Sequence, residues 1–414
     1  MRFRHVLVNR NYALYLASQI MSIFSDGLFK ISAIWTLVEN TRSAGSLAIM
    51  LLLSYLPQLF VGLIGGYLVD RFDRKKILVI CDTISSLCLF VLMLWYNSSG
   101  FQIAIFFAAR FILSLMDVFY RPAAVSYIPR LVSKDDLQTA NSIERIVREV
   151  FVIVSFALAG IIVSKIDISG VLLMNTLAYF AAALLIACIP VHGKVERKDE
   201  SPNKFSFIEL TAGIPYIRKH PFVLEFMLLI FLLNISHDIF YNLPSLYSRD
   251  VLNEGAGGFS ALQTSLSIGM LVGAALIGVR NFKKVGKLFC WSLIANGIIL
   301  ILLGRNQHLF GGLILYFLFA FTDALAIPAF TYLQLYVEDE KKGRVFALFD
   351  TIVLFSSPIA SLALGLLVSG LGILRSYIVA GIAIVSIGLL SWRLKHIRTA
   401  DLSELINKPN SSAK

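Results

Sequence analysis

Long apolar runs separated by short polar breaks are the dominant pattern of this chain. Each run is about 20 residues long, which is the length that a helix needs to cross the hydrocarbon core of a bilayer. We therefore predict twelve membrane-spanning helices, near residues 12–38, 46–69, 77–96, 101–120, 144–164, 168–190, 222–247, 259–279, 287–304, 309–331, 346–369 and 374–392.

One extended polar stretch interrupts the series after the sixth run. The twelve runs and this division together predict an all-α integral membrane protein whose twelve transmembrane helices form two pseudo-symmetric six-helix bundles. The predicted parts are an N-terminal bundle (1–190), a cytoplasmic linker (191–221), a C-terminal bundle (222–393) and a cytoplasmic tail (394–414).

The two predicted bundles repeat short motifs. Asp-x4-Pro-Ala at Asp117 in the fourth helix recurs at Asp323 in the tenth, and Ile-x2-Asp ending at Asp26 in the first helix recurs at Asp238 in the seventh. The helix order is the same and the offset is nearly constant, which indicates duplicated halves that rock about a central site.

Composition and charge agree with a membrane protein. The chain is 57% hydrophobic and 15% charged, with a mean hydropathy of +0.77, which is too apolar for a soluble protein. Its net charge of +11 does not indicate a nucleic-acid partner, because no polar segment is long enough to fold as a separate domain. Thirty of the 37 lysines and arginines fall on one predicted side, which places both termini in the cytoplasm.

Charged residues within the predicted helices are the first candidates for function. A carboxylate at the centre of a lipid-facing helix costs about 2.5–3.5 kcal/mol on insertion scales. We therefore expect Asp26, Asp117, Asp238 and Asp323 to face the protein interior or water, and we expect the same of Arg110.

Local pairing is the alternative interpretation of these charges. Lys30 follows Asp26, and Arg121 follows Asp117, at the four-residue spacing that places two side chains on one helix face. Arg110 has no such neighbour of opposite sign and is expected to find a partner across a helix interface, with Asp26 and Glu149 as the candidates.

Other polar residues are expected to be structural. His237 is interpreted as polar packing, and Asp82 as an acid paired near a cytoplasmic helix end. The four cysteines lie in apolar runs and are expected to be buried. No nucleophile and base pair, phosphate-binding glycine loop or metal-ligand spacing occurs, so we predict no catalytic residues, no cofactor and no metal site.

The stretch from Gly66 to Lys75 looks like the signature turn between helices 2 and 3 of the major facilitator superfamily, and Arg110 falls where exporters of that superfamily carry an arginine. The signature usually has glycine where this chain has Asp73. That difference is shared with a branch that resembles macrolide efflux, enterobactin export and lysophospholipid transport proteins.

This resemblance implies a function. It implies export of an amphipathic or lipophilic small molecule (a drug, macrolide or siderophore) by alternating access and proton antiport, with a role in multidrug resistance. It also implies a monomer in the bacterial inner membrane, whose partners are substrate, protons and membrane lipid. The implied gate on the cytoplasmic side is formed by Gly66, Asp70, Arg71, Arg74 and Lys75. The charged residues within the predicted helices are the candidate substrate and proton-coupling residues: Asp26, Arg110, Asp238, Asp117 and Asp323.

Helix 5 departs from the family pattern. Antiporters of the superfamily often carry a Gly-Pro motif there, whereas residues 152–160 keep only Gly160. A lysophospholipid or lipid-precursor transporter or flippase is therefore an alternative, and a receptor or scaffold that transports nothing is a second. The retained charges at Asp70 and Arg71 argue against the scaffold.

Overall fold

The computed structural model describes residues 6–190, 214–280 and 282–403, with side chains throughout except at positions 63–68, 70, 134, 214, 239, 339, 340, 343, 344 and 347. Within the described residues, twelve helices are long and apolar enough to cross a membrane. The predicted all-α fold with twelve spans is confirmed.

The first six spanning helices follow one another with short turns. Asn9 precedes the first of them, and its side chain accepts hydrogen bonds from the backbone N–H groups of Asn11 and Tyr12, as a helix N-cap does. The helices are α1 (Arg10–Thr41), α2 (Ala44–Arg71), α3 (Arg74–Ser99), α4 (Ile103–Leu131), α5 (Leu137–Lys165) and α6 (Ile168–Ala187).

The second six include two spans that are broken before a proline. The helices are α7 (Pro221–Asn242, continuing as Pro244–Asp250), α8 (Ala256–Val279), α9 (Val285–Leu303), α10 (Leu309–Ala324, continuing as Ile327–Tyr336), α11 (Asp339–Leu371) and α12 (Ile373–Arg393). Pro244 and Pro328 each lie at the first or second position of the continuing segment, where a missing N–H costs no hydrogen bond.

Several helices extend beyond their predicted ends. The fourth was predicted to end at residue 120, but α4 runs on to Leu131 with Pro122 and Pro129 inside it. In this extension Ala123, Ala124 and Tyr127 are buried. The extra turns are polar on one face, so their average hydropathy does not predict a membrane span. Packing of the other face stabilises them as helix.

The described residues form two compact units. The first comprises α1 to α6 together with Asn253–Thr264, and the second comprises residues 214–252 and the chain from Ser265 onward. The predicted linker, residues 191–221, falls mostly outside the described ranges, so the predicted domain limits stay predictions.

Helix pairing repeats between the units. In the first unit α3 packs against α6, α1 against α5 and α6, and α3 against α4. Six helices further on, α9 packs against α12, α7 against α11 and α12, and α9 against α10. The duplication that the sequence motifs indicate is thus present in the packing of each unit.

A short segment after α12 docks onto the start of α9. Gly286 N–H donates to the carbonyl of Ala400 at 3.0 Å, and Leu402 N–H donates to the carbonyl of Lys283 at 2.9 Å. The backbone N–H and hydroxyl of Ser403 donate to Asp401, and these hydrogen bonds hold the pKa of that carboxyl below its ordinary value.

Candidate functional site

In the first unit, Asp26 is an exposed acid on an otherwise buried stretch of α1. Its neighbours Ser25 and Gly27 are buried, whereas the side chains of Asp26 and Lys30 are exposed. The hydroxyl of Tyr179 in α6 donates a hydrogen bond to Asp26. An exposed charge in a span is far more stable against water than against lipid tails, so this face of α1 borders water.

Three further charged residues act on Asp26 electrostatically, and all of them lie on α4. They are Asp117, Arg121 and Arg110. Both arginines also act on Asp117. The structure thus brings three of the five predicted coupling residues, Asp26, Asp117 and Arg110, together in the first unit.

Arg110 donates from Nε to the hydroxyl of Ser54 in α2 at 2.6 Å. The sequence could not supply this contact, because serine carries no charge and lies 56 residues away. Lys30 is similarly placed by an uncharged group, since its Nζ lies 5.6 Å from the ring centroid of Phe156 in α5.

Asp82 is not the interfacial acid that the sequence suggested. It lies on α3 with 1% of its surface exposed, and Ser22 Oγ in α1 donates to its Oδ1 at 3.1 Å. The Ser22 hydroxyl is also 3.3 Å from the hydroxyl of Tyr120, to which Gln19 donates at 2.8 Å. Asp82 is therefore part of a buried polar network one helical turn from Asp26.

In the second unit, Asp323 on α10 is the centre of a similar cluster. His237 Nδ1 lies 3.6 Å from Asp323 Oδ1, and Asn296 Nδ2 donates to the same oxygen at 3.4 Å. Tyr241 donates to Oδ2 at 3.2 Å. His237, which sequence reasoning assigned to polar packing, is thus the basic neighbour of a carboxylate inside the membrane span.

Aromatic rings surround this cluster. The His237 ring lies edge-on to Phe319, with centroids 5.3 Å apart, and Phe319 in turn lies 3.8 Å from Phe240. His237 Nε2 is buried without a hydrogen-bond partner. An apolar wall beside a few fixed polar groups is the usual composition of a small-molecule site.

Asp238, the predicted counterpart of Asp26, is half-buried on α7. Its backbone carbonyl accepts a hydrogen bond from Asn242 Nδ2 at 2.7 Å. In the second unit, a tyrosine contact of the kind that Asp26 receives is found on Asp323.

The turn between α2 and α3 has a clear local structure. The Asp73 side chain accepts from the N–H groups of Lys75 and Lys76 and so caps α3, which explains an acid where the family signature has glycine. Lys75 Nζ donates to the carbonyls of Ala187 at 2.9 Å and Ile189 at 2.6 Å, at the end of α6. Lysine at a helix C-terminus also interacts favourably with the helix dipole.

The remaining residues of the predicted gate are described only in part. Arg71 is exposed and Arg74 is half-buried, whereas the surroundings of Gly66 and the side chain of Asp70 lie outside what the structure describes. Among the described residues, no group of three or more His, Cys, Asp or Glu side chains could hold a metal ion.

The sequence matches the Major Facilitator Superfamily over residues 15–333. The chain belongs to this superfamily. Its members are transporters and not enzymes, and they bind small-molecule substrates. With twelve candidate spans, the protein is a multi-pass protein of the cell membrane.

Two relatives agree with the drug and siderophore exporter branch that the sequence motifs indicated. Macrolide efflux protein A of Streptococcus pyogenes is 25% identical over 392 residues, which cover 93% of this chain and 96% of that protein. The staphyloferrin A transporter of Staphylococcus aureus is 21% identical over 385 residues, which cover 91% and 94%.

Solved structures share the fold. The crystal structure of the nucleoside transporter NupG superimposes with a TM-score of 0.71 at 15% identity, covering 94% of this chain and 99% of that one. At this identity the likeness speaks for the fold alone.

Proposed function

We propose that this transporter exports an amphipathic or lipophilic small molecule from the bacterial cell by alternating access, in exchange for protons. The observation that carries the proposal is Asp26, an exposed carboxylate on a spanning helix that is held by the hydroxyl of Tyr179. A group in this position reaches water and can bind a proton or a cationic part of a substrate, but not both at once.

The charged groups near Asp26 suit such an exchange. Asp117 repels the ionised form of Asp26, whereas Arg121 and Arg110 attract it. These opposing effects allow Asp26 both to take up and to release a proton. Proton binding removes the negative charge from Asp26 and releases a cationic ligand. Asp238 is the second candidate for the same role, and Asp117 and Asp323 complete the proposed coupling residues.

Two observations support a lipophilic cargo. The relatives with functional names handle a macrolide and a siderophore, and aromatic rings line the polar cluster around Asp323. Gly66, Asp70, Arg71, Arg74 and Lys75 are proposed as the gate on the cytoplasmic side. We also propose that both termini are cytoplasmic and that the protein acts as a monomer.

A substrate panel in proteoliposomes tests this function. Purified protein is reconstituted, and uptake of a macrolide, a siderophore, a lipophilic cation and a fluorescent lysophospholipid is measured with and without an imposed pH gradient. We expect gradient-driven movement of one of the first three in the wild type. Asp26→Asn should lose this response, while Asp135→Asn, an exposed acid in the turn after α4, should keep it.

Two results would contradict the proposal. Gradient-independent movement of the lysophospholipid alone would favour the flippase. An Asp26→Asn variant that still couples substrate movement to the pH gradient would show that Asp26 is not the proton carrier.

A further inference from the structure

Among the described acids of the first unit, Asp82 is the most deeply buried, and one of its oxygens accepts no hydrogen bond. Its surface is 1% exposed. Oδ1 accepts from Ser22, whereas Oδ2 is buried with no hydrogen-bond partner. An ionised carboxylate has about four acceptor sites, so one donated hydrogen bond satisfies little of its capacity.

The surroundings of Asp82 do not compensate a negative charge. The charged side chains that act on it most strongly are Asp26 and Asp117, and both are acids. The titratable groups that face it from the helices packed on α3 are Asp26 from α1, Asp117 and Tyr120 from α4, Tyr179 from α6, and Cys81 on α3 itself. Burying an unpaired ionised carboxylate is so costly that such a group takes up a proton instead.

Asp82 is connected to Asp26 through α1. Ser22 and Asp26 are four residues apart and therefore lie on one face of that helix. The Ser22 hydroxyl contacts Asp82 and Tyr120, while Asp26 accepts from Tyr179. One acid is thus exposed and the other buried, and Ser22, which contacts the buried acid, lies one helical turn from the exposed acid.

We propose that Asp82 is a second proton-binding group of this transporter, which holds a proton on its carboxyl whenever Asp26 is ionised. Asp26 and Asp82 act on each other as like charges, so ionisation of one favours protonation of the other. When Asp26 takes up a proton from water, Asp82 can release its own. The part that Asp82 plays in transport rests on the proton exchange proposed above, but its protonation does not.

Infrared spectroscopy of the purified full-length protein tests the protonation directly. At neutral pH we expect the wild type to show a carbonyl band of a protonated carboxyl group that is absent in Asp82→Asn and retained in Asp135→Asn. A spectrum with no band that depends on Asp82 would overturn the proposal.

A second pair of variants keeps the carboxyl in place, in case Asp82→Asn does not fold. Ser22→Ala removes the donor to Oδ1 and should shift the band. Ser18→Ala lies one turn earlier on the same helix, where its buried hydroxyl has no hydrogen-bond partner, and should leave the band unchanged. Equal spectra for both serine variants would place the protonated group elsewhere and contradict the assignment.

Transport measurements separate this proposal from the proposed function. If the wild type couples transport to the pH gradient, Asp82→Asn should lose that coupling and still bind substrate. If the wild type shows the Asp82 band but no coupling, the assignment of Asp82 as a proton-binding group is supported and the proposed antiport is refuted. If coupling survives in Asp82→Asn, the role of Asp82 in transport is refuted.

Discussion

Tyrosine hydroxyls hold a carboxylate within the membrane span of each unit. Tyr179 donates to Asp26 and Tyr241 donates to Asp323. A neutral donor stabilises an ionised acid by about 1.5–3 kcal/mol without fixing its charge as a bound arginine would. Each of these acids is therefore held by a neutral group, which fits the coupling role that we propose for it.

Replacing His237 with glutamine tests the polar cluster of the second unit. His237 Nδ1 lies 3.6 Å from Asp323 Oδ1, and glutamine keeps a polar group there but cannot carry a positive charge. We expect His237→Gln to reduce the change in transport rate between pH 5 and 8, while transport at a single pH is retained. The rate is measured against pH in proteoliposomes.

His308→Gln is the matched control, because His308 is exposed and lies outside the cluster. Its pH profile should equal that of the wild type. An unchanged profile in His237→Gln would mean that the His237–Asp323 pair is structural.

At this scale, sequence reasoning found the acids but not their partners. The cost of a charge in the membrane identifies Asp26 and Asp323 without a structure. The partners of such residues are uncharged or distant: Ser22 contacts Asp82 over 60 positions, and Ser54 contacts Arg110 over 56. Hydropathy and charge spacing carry no signal for contacts of this kind.

Among the helices, the contact between α9 and the segment after α12 depends on one glycine. A Cβ at Gly286 would lie 1.9 Å from the carbonyl oxygen of Ile397 and 3.1 Å from the nitrogen of Ala400. Both are backbone atoms, which cannot rotate away as a side chain would. The segment after α12 therefore packs closely against the start of α9.

Gly286→Ala should lower the stability of the protein. Overpacking costs about 1–3 kcal/mol, and the backbone here has little room to move. We expect a lower midpoint of thermal unfolding for the purified protein in detergent. Gly278→Ala is the control, since a Cβ there meets nothing within 4 Å, and its midpoint should not fall. Equal midpoints for the two variants would show that the segment is only loosely attached.

Sequence predicts the elements better than their ends. Apolar runs give all twelve spans because the bilayer imposes one length on every helix. The extension of α4 to Leu131 and the breaks in α7 and α10 depend on packing and on prolines at particular positions, which a hydropathy average does not resolve.

The exposed Cys188 gives access to the orientation of the whole molecule. Cys81 and Cys290 are buried and Cys88 is half-buried, but Cys188, at the end of α6, is exposed, contrary to the expectation that all four cysteines are buried. We propose from the distribution of positive charge that this end is cytoplasmic, so a membrane-impermeant maleimide should label Cys188 in inside-out vesicles and not in right-side-out vesicles.

Two variants control the labelling. Cys188→Ser should lose the label. Ser99→Cys in that background should react only in right-side-out vesicles, since Ser99 is exposed at the C-terminal end of α3, on the proposed outer side. Labelling of Cys188 from the outside would reverse the proposed topology.

Antiport means that substrate and protons move in opposite directions through the same protein. Proteoliposomes that enclose a pH-sensitive dye are given a substrate gradient and no initial pH gradient, and the internal pH is followed. We expect proton movement opposite to the substrate in the wild type and in Asp135→Asn, and none in Asp26→Asn. Substrate movement without any change of internal pH in the wild type would show that the protein is not an antiporter.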